Sequence, residues 1–191
     1  MKKELDFDIS ANEKIGLGLL NNHVHFLYGE IDEDNVTECI KWIVYENVTA
    51  GSNPKNLTLY INSVGGSLND SFALIDIMKN SNCPIRVIGI GTIASAAFMI
   101  FSAGTKGQRF ISKNTSIMCH QYSDSYEGKH HDIKSRYRES ELTNTRMIDI
   151  LKENTGLDAR TIKSKLLCPT DVWLTAEEMV EFGIADGLFE T

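Results

Sequence analysis

Three times in the first half of the chain a short apolar run gives way, within a few residues, to an amphipathic pattern. His23-Val-His-Phe-Leu-Tyr28 reads as a strand, and Val36, Ile40, Ile43 and Val44 then recur at helical spacing, predicting a helix over 34–46. Leu57, Leu59 and Ile61 alternate with Thr58, Tyr60 and Asn62 in a second strand. Leu68, Phe72, Ile75 and Met78 mark the helix after it, with Ser67 as a plausible N-cap. Ile85-Arg-Val-Ile-Gly-Ile90 is a third strand, and the following GTIASAAFMIFS, Gly91–Ser102, reads as its helix. Strands of this kind joined by short helical crossovers form a largely parallel sheet, so the fold class is α/β.

The second half continues less regularly. Gln108–Ile111 and Thr115–His120 read as two short strands around the turn Ser112-Lys113-Asn114. Residues 132–154 form a long charged helix, and Asp158–Leu167 a shorter one stopped by Pro169. Thr175-Ala-Glu-Glu178 is a capping box opening a last helix that ends at Gly183. Residues 1–16 are polar with weak periodicity and read as a flexible arm; with no linker after it, residues 17–191 read as a single domain.

Bulk properties narrow the function. The 191 residues are 42% hydrophobic and 24% charged, a globular mixture, and the formal net charge is −7. That sign argues against nucleic acid or an anionic membrane surface as the main partner. No run approaches the ~18 apolar residues of a membrane span, and MKKELDFDIS lacks the apolar stretch of a secretory signal. Cys39, Cys83, Cys119 and Cys168 are widely spaced without a C-x-x-C pair, so they read as reduced thiols of a cytoplasmic protein.

Two loops open helices directly after strands. In Asn62-Ser-Val-Gly-Gly66, paired glycines let backbone N–H groups approach an anion at a helix start; taken alone, they read first as a tight strand-to-helix turn. In the second loop Ser95 sits among small residues early in GTIASAAFMIFS, where a nucleophile is accessible but where a packing serine also fits. A serine nucleophile needs a base, and the base an orienting group. Of five histidines, His120 closes the apolar strand Ile117-Met-Cys119, where an imidazole is costly unless partnered. His130-His131-Asp132 lies in a polar stretch and reads as a solvated face rather than a metal site. Asp171, just before Val172-Trp-Leu174, is one of many carboxylates that spacing alone does not select.

These motifs, in this order, resemble the proteolytic subunit of the Clp protease family. The resemblance runs from about Val24 to Leu188 and rests on LYINSVGG (Leu59–Gly66), GTIAS (Gly91–Ser95), AGTKGQRF (Ala103–Phe110), MCHQ (Met118–Gln121) and LTAEE (Leu174–Glu178) with Gly183. It implies a Clp protease/crotonase-like fold of repeated ββα units, with the long helix from Asp132 as a protruding handle. It further implies a serine endopeptidase that cleaves unfolded polypeptides inside a ring-enclosed chamber. Ser95 would be nucleophile, His120 base, Asp171 orienting carboxylate, and the Gly66 and Ala96 amides the oxyanion hole. The implied partners are copies of this chain in a heptameric ring, stacked in pairs or single, and a ring-shaped Clp ATPase unfoldase. ATP belongs to that partner, and no cofactor or metal is expected in this chain. Two alternatives share the fold: a crotonase-type acyl-CoA enzyme, and a noncatalytic ring subunit working with an active paralogue.

The chain departs from the family pattern in four places. Val64 stands where a proline usually precedes Gly65, Tyr122 replaces the proline after His-Gln, and Thr170 replaces an arginine before the aspartate. The stretch from Ile162 to Asp171 also looks about two residues long. These changes bear on ring stacking and its coupling to the site more than on the triad.

Overall fold

The computed structural model describes residues 9–190. Strands β1 (Val24–Ile31), β2 (Leu57–Gly66) and β3 (Ile85–Ala94) are parallel neighbours, joined by α2 (Glu33–Ala50) and α3 (Leu68–Lys79) as crossovers. The alternation along β2 explains its placement: Leu57, Leu59 and Ile61 are fully buried while Thr58, Tyr60 and Asn62 are not. α2 and α3 turn Val36, Cys39, Ile43, Leu74, Ile75 and Met78 onto the sheet. Ser67 caps α3 through Asp70 N–H, and Asp32 caps α2 through Asn35 N–H.

GTIASAAFMIFS corrects the sequence reading. Gly91–Ala94 is the end of β3, and the helix α4 is only Ala96–Ser102. Every residue of α4 is buried, with Phe98 and Phe101 among the largest side chains of the core. A helix apolar on all sides has no face to give to solvent and must run through the interior. It lies against β2, β3, α3 and α5 (His130–Thr155).

The remaining elements are β4 (Arg109–Ile111), β5 (Ser116–Cys119), α6 (Ala159–Lys165), β6 (Val172–Leu174), α7 (Ala176–Glu181) and β7 (Gly187–Leu188). The sheet runs β1-β2-β3-β4-β7; β5 joins the far end of β3, and β6 pairs antiparallel with β5. The Thr175–Glu178 capping box opens α7. Short β6 and β7 lie in stretches to which the sequence reading gave no element. Helix α1 (Ala11–Asn21) falls largely within the arm read over 1–16: a Ser10–Glu13 capping box starts it, although none of its residues is buried. Residues 1–8 of that arm lie outside the described residues. On α5, no residue before Thr143 is buried; Thr143, Met147, Ile148 and Leu151 anchor its second half. Among the described residues no helix is long and apolar enough to cross a membrane.

A forked ion pair closes the far edge. Arg109, 3% exposed, donates from Nη2 and Nε to Asp186 at 2.7 and 2.9 Å, and from Nη1 to the Asn154 carbonyl at 2.9 Å. The Arg109 and Gly107 amides also donate to Asp186 Oδ2. Burial raises the Asp186 carboxyl pKa, but the Arg109 side-chain and backbone hydrogen bonds and charge outweigh it and hold it below the usual carboxylate range. A lowered folded-state pKa contributes stability above the unfolded value of ~3.9, lost as pH falls through the folded value. Asp186→Asn leaves a buried guanidinium without its counter-charge, so at pH 7 it should cost about 3 kcal/mol in urea unfolding. That cost should shrink as pH falls below the unfolded value of ~3.9 toward the lowered folded-state value; an equal cost at pH 7 and pH 3 would contradict the ion pair's role.

Candidate active site

β3 changes partners halfway along its length, and the site forms there. Its register with β2 runs to Ile61↔Gly89 and resumes at Ser63↔Ile93, a bulge of extra residues on β3. Asn62 Oδ1 accepts the Thr92 N–H at 2.8 Å inside the bulge. Before it, β3 pairs with β4; after it, with β5 through Thr92↔Ser116 to Ala94↔Met118. Ser95 and His120 therefore follow the carboxyl ends of adjacent parallel strands, where α/β sheets commonly open a ligand crevice.

Ser95 makes the turn from β3 into α4 with φ 54° and ψ −121°. A non-glycine residue there costs about 1–3 kcal/mol and persists only when its surroundings hold it. Ser95 N–H donates to the Met118 carbonyl at 3.0 Å, and its own carbonyl accepts from Phe98 N–H at 3.0 Å. Gly65 closes the other side. A Cβ on Gly65 would lie 2.6 Å from Ser95 Cβ, 2.7 Å from the Ala94 oxygen and 3.0 Å from the Ala96 nitrogen. At Gly66, a Cβ would overlap the Ile31 carbonyl. Both glycines also take positive φ, 97° and 149°.

Although Ser95 stands at the N-cap of α4, its hydroxyl makes no capping bond. Its Oγ instead lies 2.8 Å from His120 Nε2, at hydrogen-bond distance. The oxygen is thereby set against a base and away from the helix, the arrangement that activates a hydroxyl for attack on a carbonyl. Ala96 opens α4, so its N–H has no acceptor within the helix. Ser67 N–H donates to the Ile31 carbonyl at 2.8 Å, so the chain just past Gly66 is held against β1.

Asp171 is exposed and directly precedes β6. The β5–β6 register ends at Cys119↔Val172, so continuing it by one residue sets Asp171 opposite His120. Among the described residues its carboxylate makes no hydrogen bond, to His120 or to any other group. The structure thus joins Ser95 to His120 but not His120 to Asp171. His130 and His131 are exposed at the start of α5. Cys119, next to His120, is buried, and burial pushes its thiol up to about 12, an inert rather than reactive sulfur.

A cavity of about 290 Å³ adjoins Ser95 and His120. Leu68 and Met147 form its apolar wall; Tyr122, Asp124, Glu139 and Thr143 form much of its polar one. Sequence reading did not single out the last three, which come from a loop and from α5 and carry no motif. Of the family departures, Val64 is 66% exposed, whereas Tyr122 lines the cavity.

If Gly65 seats the serine, Gly65→Ala should displace the Ser95 turn. The rate at which a fluorophosphonate labels Ser95 should then fall by about 10²-fold, the usual scale for ångström misplacement of a reacting group. Val64→Ala, at an exposed site, should leave that rate within twofold; equal losses in both variants would contradict the packing argument.

The family model described as Clp protease matches residues 10–191. The chain is 32% identical to the ATP-dependent Clp protease proteolytic subunit 2 of Corynebacterium diphtheriae over 173 residues, covering 91% of this chain and 85% of that protein. On both grounds, and with an α/β fold of the kind the resemblance implied, the chain belongs to the Clp protease family.

Proposed function

We propose that this chain is the proteolytic subunit of a Clp-type protease, a serine endopeptidase that uses Ser95, His120 and Asp171. The 2.8 Å contact of Ser95 Oγ with His120 Nε2, at a strained turn with no structural use for the hydroxyl, carries the proposal. His120 takes the hydroxyl proton as Oγ bonds to the peptide carbonyl carbon. The Gly66 and Ala96 amides receive the developing oxyanion. As the C–N bond breaks, His120 returns the proton to the leaving amine; a water, deprotonated in turn by His120, then releases the acyl group and regenerates Ser95. Asp171 accepts the Nδ1–H of His120 and balances the imidazolium, a contact that a side-chain rotation at the end of the β5–β6 ladder would make.

The reaction as proposed uses protein groups alone. The relative's name carries "ATP-dependent", and in this proposal ATP is consumed by a separate ring-shaped ATPase that feeds unfolded polypeptide to a heptameric ring of this chain in the cytoplasm. The exposed first half of α5 is the proposed handle between rings.

Treatment of the purified protein with a fluorophosphonate, followed by peptide mapping, should place the label on Ser95 and lose it in Ser95→Ala and His120→Ala. Peptide hydrolysis should fall by roughly 10⁴-fold or more in Ser95→Ala. Labelling at another residue, or hydrolysis unchanged in Ser95→Ala, would overturn the peptidase reading. A protein that binds ring partners yet takes no label would instead be a noncatalytic subunit.

A further inference from the structure

Of the motif Leu59–Gly66, the proposed chemistry uses the two glycines and leaves Asn62 without a task. Asn62 lies where the β2–β3 ladder breaks. Between the pairs Ile61↔Gly89 and Ser63↔Ile93, β2 advances by two residues and β3 by four. The surplus residues of a bulge fall off the ladder, so their backbone donors need other partners. The Thr92 N–H meets Asn62 Oδ1 at 2.8 Å. The carboxamide also lies against Gly91: a Cβ there, at φ 62°, would stand 2.6 Å from Asn62 Oδ1 and 2.9 Å from its Cγ. Because its partner is a backbone donor, the group must present its oxygen, and its Nδ2 makes no hydrogen bond among the described residues. Asn62 is itself paired with Tyr28 of β1, so this acceptor is fixed to the sheet. The other edge of β3 is matched to the bulge. The Gly89 carbonyl accepts the Ser112 N–H at 2.9 Å and the Thr115 hydroxyl at 3.2 Å, which pins the β4–β5 turn just before the bulge. Pairing resumes at Thr92↔Ser116 and runs to Ala94↔Met118, and the Ser95 N–H extends it to the Met118 carbonyl. The 2.8 Å contact of Ser95 Oγ with His120 Nε2 follows directly beyond. The register that begins at Thr92 therefore sets the distance between nucleophile and base.

We propose that Asn62 is a positioning residue for the reaction: its side-chain oxygen replaces the acceptor that the bulge takes from Thr92, and so fixes the register in which β3 brings Ser95 to His120. This deepens the peptidase reading above and rests on it. Asn62 does not line the cavity beside Ser95. It acts through Thr92, the β3–β5 ladder and the Met118 carbonyl.

Asn62→Leu keeps the bulk of the side chain without the acceptor, and Asn62→Asp keeps the acceptor. Rates are normalised to the folded fraction from near-ultraviolet circular dichroism. Fluorophosphonate labelling of Ser95 should then fall by about 10²-fold in Asn62→Leu, the scale of ångström misplacement, and stay within about threefold of wild type in Asn62→Asp. For a short peptide substrate kcat should fall in Asn62→Leu while KM barely moves. A spectroscopic readout separates this from a merely structural role. In protein carrying isotope-labelled histidine, the His120 Nε2 resonance should move on Ser95→Ala in the wild-type background and stay still on Ser95→Ala in Asn62→Leu. If Asn62→Leu does not fold, Asn62→Ala, which adds no bulk, takes its place with the same expectations. Wild-type labelling in folded Asn62→Leu, an equal loss in Asn62→Asp, or a His120 resonance that still responds to Ser95→Ala would overturn the assignment and leave the peptidase reading intact. A wild-type protein that takes no label would overturn the peptidase reading, and with it any role in the reaction; the His120 resonance would still decide whether Asn62 sets the contact.

Discussion

The contact between Gly65 and the Ser95 turn governs the arrangement around it. Strand β2 can lie this close to the end of β3 only because position 65 has no side chain; any Cβ there meets Ser95, Ala94 and Ala96 at once. Ser95 can hold φ 54° only because that packing, with the hydrogen bond to Met118, leaves it no relaxed alternative. The strained turn in turn frees the hydroxyl from helix capping and carries it to His120. Backbone strain, a missing side chain and a short oxygen–nitrogen distance are thus three aspects of one packing arrangement.

The rest of the fold supports that point from a distance. The bulge around Asn62 and Thr92 moves β3 from β4 to β5, which brings the end of β5, and so His120, beside Ser95. Helix α4 fixes the other side of the turn by complete burial, its one polar side chain, Ser102, being bonded to the Met99 carbonyl and to Asn154. Arg109 and Asp186 tie β4, β7 and the end of α5 together behind it. Helix α5 contributes twice: its buried second half supplies Met147 and Thr143 to the cavity, and its exposed first half extends away from the core.

Much of this was legible in the residues. Alternation in Leu57–Asn62 and the apolar run Ile85–Ile90 placed the central strands, because period-two burial is written directly into side-chain order. GTIASAAFMIFS was harder. Gly91–Ala94 reads as helix by composition, yet pairing with β5 makes it strand, since small residues are neutral and tertiary partners decide. The motifs identified Ser95 and His120 as candidates, and their 2.8 Å contact needed the fold. Strand β6, directly after Asp171, was missed because Val172-Trp-Leu174 is too short to show a period. Asp124 and Glu139 were invisible for another reason: charged residues in a loop and on a charged helix have a solvated explanation until a cavity brings them together.

The central claim is that the Gly65-seated turn presents Ser95 to a carbonyl between the Gly66 and Ala96 amides. A crystal structure of the protein inactivated with a phosphonate tests it most directly. The account predicts phosphorus bonded to Ser95 Oγ, a phosphonyl oxygen within hydrogen-bond distance of both amides, and the Asp171 carboxylate rotated onto His120 Nδ1. A phosphonyl oxygen turned into solvent with both amides unoccupied, or an adduct on any other residue, would contradict it.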